Sequence, residues 1–185
     1  MNGEGSRWRG EPLGKGELQA VSNQVILLRT LTTIVLTTLL LAVGSSVSQA
    51  QLADKKVLTL AAARTMAAAA EAEATRNGWN LVIVIVDDGG HLLYFERMDG
   101  VQLGNIAIAT QKARTAALYR RPSKDFADRM AAGSNTVLAL PDVIPLEGGI
   151  PIVVNGRVIG AIGASGATGA QDAQAAQAGV DALKL

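Results

Sequence analysis

The sequence predicts an α+β domain, an antiparallel sheet held between layers of helix. Three observations carry this. Leu81–Asp87 is an almost wholly apolar, mostly β-branched run without alternation, as expected of a strand covered on both faces. Asp87-Asp88-Gly89-Gly90 and Asn155-Gly156 are turn sequences set between extended runs, so neighbouring strands are joined by hairpins and lie antiparallel. Alanine-rich helical segments stand before, between and after these hairpins, where they can cover both sheet faces.

Composition sets the bounds. With 185 residues there is room for one core, and 17 basic against 16 acidic residues leave no field to draw nucleic acid. Cysteine is absent, which removes disulfide, zinc-thiolate and cysteine-nucleophile chemistry. Aromatics are only 3% beside 20 glycines, so the elements are expected to pack through small residues at close approach.

The first fifty residues read as an export signal with an extended leader. Leu31–Val43 is uncharged and preceded by Arg29, and is short for a permanent span. In the following GSSVSQA, Ser48 and Ala50 predict a cut before Gln51, leaving residues 51–185 as the domain with no permanent membrane span. Met1–Gln24 is longer than a signal needs, and a start nearer Val21 or Val25 would give an ordinary one.

The mature chain opens with a helix over Thr59–Asn77, ended by Gly78; Arg64, Glu71 and Thr75 share a face and Glu73 can pair with Arg76. The first hairpin follows, with the chain's one histidine, His91, at its turn. Asn105 is expected to cap a helix over Ile106–Arg120, whose Ile106, Ala109, Ala113, Ala116 and Ala117 form a small-residue packing face. Ile108, Lys112, Thr115 and Tyr119 form a mixed second stripe, which could border a pocket, fill a subunit interface or lie half in water. Ser123 should cap a short helix bearing Phe126 and Met130. Pro141 and Pro145 limit VLALPDVIPLE to an edge or irregular strand. The Asn155-Gly156 hairpin joins Ile150–Val154 to Arg157–Ile162, and a last helix spans Ala170–Leu183 with Ala173, Ala176, Val180 and Leu183 inward.

These residues point to no familiar catalytic constellation. His91 can bind a metal or bond local backbone, but no HxxxH, HExxH or carboxylate cluster accompanies it. Asp87, Asp88 and Asp99 fit turn chemistry. GAIGASG lacks the Lys-Ser/Thr ending of a phosphate loop, and Ser165 has no visible base.

The segments DDGGHLLYFERMDG, KARTAA, GGIPIVVNGRVIGAIGASG and the QD...AQAG ending resemble the GlcG/HbpS-like family, also found as the C-terminal domain of PduO-type proteins. The resemblance covers nearly all of residues 51–185. It implies a profilin-like α/β/α sandwich with about five antiparallel strands, a homo-oligomer, and haem or another small planar ligand as partner. With the signal it implies a secreted or periplasmic haem-binding protein serving haem or iron sequestration, sensing or degradation. Haem would need an axial donor and cations for its propionates. His91 is the first donor and metal ligand, with Tyr119 or Tyr94 next; Arg97, Lys112 and Arg114 are expected at propionates, and Thr115 at the iron or a bound water. The other reading is an oligomeric small-molecule or protein-binding module without iron chemistry, the Lys112–Tyr119 stripe lying between subunits.

Overall fold

The structure is a computed structural model that describes residues 14–43, 52 and 54–183. It divides into two compact units, residues 1–53 and 54–185. The first contains helix α1, Lys15–Val43, which takes in the uncharged run and the segment before it. No helix among the described residues is long and apolar enough to cross a membrane. The expected cut before Gln51 lies outside the described residues.

The second unit runs α2 Leu60–Arg76, β1 Val82–Asp87, β2 Leu92–Arg97, α3 Asn105–Tyr119, α4 Lys124–Ala131, a 3-10 helix Asn135–Ala139, β3 Gly149–Val154, β4 Arg157–Ser165 and α5 Gly169–Asp181. The strands form one antiparallel sheet in the order β2-β1-β4-β3. As its sequence requires, β1 is internal and buried on both faces. Leu81, Ile83 and Ile85 join the core under α2 and α5, while Val82, Val84 and Val86 join the core under α3. Each such burial contributes roughly 1.5–3 kcal/mol. These two cores hold the three layers together.

Glycine sets how near the layers come. A Cβ on Gly163 of β4 would stand 2.3 Å from the Ala109 carbonyl oxygen, so α3 rests on the strand backbone itself. At the second hairpin Asn155 (φ 50°) and Gly156 (φ 74°) are both left-handed, as a two-residue type I′ turn demands.

The sheet has four strands where about five were expected. VLALPDVIPLE forms no strand: it begins in the 3-10 helix and continues irregularly to Gly149. Its two prolines have no N–H for a ladder, and α3 side chains take over part of the segment's hydrogen bonding. Two expected caps also differ. Asn105 is the first residue of α3 and accepts a hydrogen bond from the Ser165 hydroxyl at 3.0 Å. Ser123 precedes α4, but its hydroxyl donates to Leu146 O and accepts from Gly149 N–H. In α5 the buried face is Asp172, Ala175, Ala176 and Gly179, rotated from the expected one.

Candidate functional site

The β1–β2 turn is built by Asp87, whose carboxylate accepts the N–H groups of Gly89 and His91, each at 2.9 Å. That fixes the backbone at His91 and leaves its ring exposed, with no hydrogen-bond partner among the described residues. The acidic trio does not gather: Asp88 pairs with Lys55 at 2.7 Å, and Asp99 follows the far end of β2. Among the described residues no three histidine or carboxylate groups could hold a metal ion.

Beside His91 lies a bare sheet face. In the β1–β2 register Leu92 is opposite Val86, Phe95 opposite Val84 and Arg97 opposite Val82, which puts all three on the α3 side of the sheet. Helix α3 packs on β1, β3 and β4 and leaves β2 uncovered. Leu92 is accordingly 62% exposed and Phe95 41%. Leu118 of α3, itself 38% exposed, approaches the turn at Gly90 and extends the apolar surface.

Within the mixed stripe of α3, Lys112 and Thr115 are buried and Ile108 and Tyr119 half-buried, and Arg114 beside it also bonds inward. Arg114 donates to Gly90 O and to the Asp142 carboxylate, both at 2.9 Å, joining the hairpin turn to the irregular segment. Thr115 is fully buried; its hydroxyl donates to Asp142 O at 3.1 Å and accepts from Ile144 N–H at 3.0 Å. Tyr119 donates to Pro141 O at 2.6 Å. Three helix residues thus clamp the stretch that the prolines keep out of the sheet.

Lys112 is separate from these. Its ammonium is buried with Asp172 of α5 at 2.7 Å and also donates to Ala164 O. Burial pushes the Asp172 carboxyl above the usual carboxylate range, opposed by Lys112 and by the Ala167 and Gly166 N–H groups. Tyr94 faces the α2 side and donates to Glu96 at 2.9 Å.

Of the expected ligand residues, His91, Arg114, Thr115 and Tyr119 cluster around one end of the sheet and the segment beside it. Arg97 is at the other end of β2, about 20 Å away at some 3.3 Å per residue. Lys112 and Tyr94 point elsewhere. The sequence reading missed Asp172, Asp142 and the exposure of Leu92, Phe95 and Leu118. The small i, i+3, i+4, i+7 face of α5 contains Asp172 and was the available signal; nothing local marks Asp142.

The fold and this surface define a small α/β/α protein whose edge strand offers an apolar face beside an exposed imidazole. Residues 58–181 match the model of the haem-degrading HbpS-like proteins, and the chain belongs to that family. It is 44% identical over 108 residues to protein GlcG of Escherichia coli K12, spanning 58% of this chain and 81% of that protein. The crystal structure of an HbpS double mutant from Streptomyces reticuli matches with a TM-score of 0.68 and 32% identity, covering 76% of this chain and 96% of that one. The crystal structure of a PduOC–haem complex matches at 0.66 and 26% identity, covering 70% and 96%.

Proposed function

We propose that this is an exported haem-binding protein in which the bare face of β2 seats the porphyrin and His91 is the axial donor. One observation carries the reading: the exposed His91 imidazole, without a hydrogen-bond partner among the described residues, lies at the turn that Leu118 approaches and immediately precedes β2, whose Leu92 and Phe95 are exposed on the face that α3 leaves uncovered. Apolar side chains suit the macrocycle, and an exposed imidazole suits iron. Arg114 beside the turn, which also pairs with Asp142, is the cation near the donor for a propionate; Arg97 lies at the other end of β2, too far to share that edge of the macrocycle. Thr115 and Tyr119 hold the neighbouring segment in place, and Lys112 is committed to Asp172.

When bound, iron porphyrin supplies one-electron and oxygen chemistry; this chain's residues supply the seat, the donor and the charge balance. Sequestration, sensing and degradation of haem all begin with such a seat. Export is supported by Arg29 and the uncharged run that follows it, and self-association by the outer edge of β2, which pairs with no strand among the described residues.

The test is a haemin titration of the purified protein followed at the Soret band. Wild type is expected to shift the band, His91→Ala to lose or move that shift, and Thr115→Ser to keep it. No shift with wild type would overturn the haem reading in favour of a binding module without iron. An unchanged spectrum with His91→Ala would remove His91 as the donor.

A further inference from the structure

We propose that the cleft beside Trp79 is a second binding site, for a small neutral polyhydroxylated ligand such as a monosaccharide or polyol. It lies apart from the β2 face and does not rest on the haem reading. The cleft has a volume of about 400 Å³ and is formed where the end of α2, the β2–α3 connection and the β4–α5 connection meet. That is within the ~300–1,000 Å³ range of small-molecule sites.

Its chemistry is that of unused carboxamides. Asn80, Gln102 and Asn105 line it together with the half-buried Trp79, and no charged side chain does. The side chains of Asn80 and Gln102 have no hydrogen-bond partner among the described residues. Asn105 is oriented in advance: Ser165 donates to its Oδ1 at 3.0 Å, which leaves both Nδ2 hydrogens free to donate. Glycine keeps the walls thin. A Cβ on Gly166 would stand 2.2 Å from Asn80 O, and one on Gly100 would stand 3.3 Å from the Asn80 Nδ2.

A carboxamide both donates and accepts, as a hydroxyl does, and three around one indole match a ligand with several hydroxyls and a C–H face. A nucleobase fits less well, because Trp79 is the one ring in the lining and a base would have no second ring against it. An adjoining cavity of about 440 Å³ shares Gly78, Trp79 and Asn80 but is lined by three carboxylates, Glu71, Glu96 and Asp99, against the single cation Arg97, a balance that favours cations. The two chambers therefore make opposite predictions about ligand charge.

The chain has two tryptophans, so full-length protein carrying Trp8→Phe reports on Trp79 alone. Its fluorescence would be titrated with glycerol, D-glucose and N-acetyl-D-glucosamine, and in parallel with cationic D-glucosamine and with adenosine. A saturable change with at least one neutral hydroxylated probe is expected. Gln102→Ala, and Asn105→Asp, which keeps the acceptor for Ser165 but loses the donors, should each weaken binding roughly twofold to tenfold. A linear or absent response to every neutral probe would overturn the proposal. So would binding indifferent to both substitutions, or a preference for D-glucosamine or adenosine.

Discussion

Lys112 on α3 and Asp172 on α5 meet at 2.7 Å with side chains 3% and 2% exposed, although their helices lie on opposite faces of the sheet. The contact passes the start of β3. A Cβ on Gly148 would come 2.8 Å from the Lys112 ammonium, and one on Gly149 would come 2.1 Å from the Lys112 carbonyl oxygen. Gly148 also has φ +127°, a backbone that L side chains rarely adopt. The paired glycines are thus the space that lets a charge pair tie one helix layer to the other.

Breaking this pair should be costly, because the surviving charge stays buried. Lys112→Met and Asp172→Asn are each expected to lower unfolding free energy by about 3–5 kcal/mol. Lys112→Met combined with Asp172→Asn should lose much less than the sum of the separate losses, since no lone charge remains. Denaturant unfolding of the three variants checks this, and simple additivity would contradict it.

Thr115 should reveal itself as a clamp. Thr115→Val removes the acceptor for Ile144 N–H and the donor to Asp142 O, at roughly 1–3 kcal/mol. Amide exchange at Ile144 should accelerate in Thr115→Val and stay slow in Thr115→Ser. Equal protection in both would show that the hydroxyl holds nothing.

The α2–β2 side gives a pH signature. The neighbouring Glu96 charge chiefly, and then partial burial and a hydrogen bond to Glu96, push the Glu71 carboxyl above its ordinary 4.5. Between 4.5 and that raised value the folded chain binds more protons than the unfolded chain, so this group's contribution to stability falls as pH rises. Glu96→Gln removes the main cause and should flatten the decline while leaving an acceptor for Tyr94. Stability curves of both proteins across the carboxylate range would show it, and parallel curves would count against it.

Much of the architecture was legible because it rests on local rules. Thr59 caps α2 through a hydrogen bond from Ala62 N–H, Gly78 follows the helix at φ 71°, and both hairpins close at the turns their residues demand. The site was less legible. The 3.6-residue period aligned Lys112, Thr115 and Tyr119 on one stripe, but not what faces it, since Ala164, Asp172, Asp142 and Pro141 are 22 to 60 residues away.

Outside VLALPDVIPLE, the sequence by itself determined which segments of the domain are helix and strand, that β1 is internal, and that small residues separate the layers, because hydrophobic period, turn chemistry and glycine act over a few residues. Only the tertiary structure decided that Pro141–Glu147 stays out of the sheet, that Lys112 is matched by Asp172, and that β2 keeps one face bare. Those outcomes depend on which distant groups meet and on how far α3 reaches across the strands, and no local pattern encodes either.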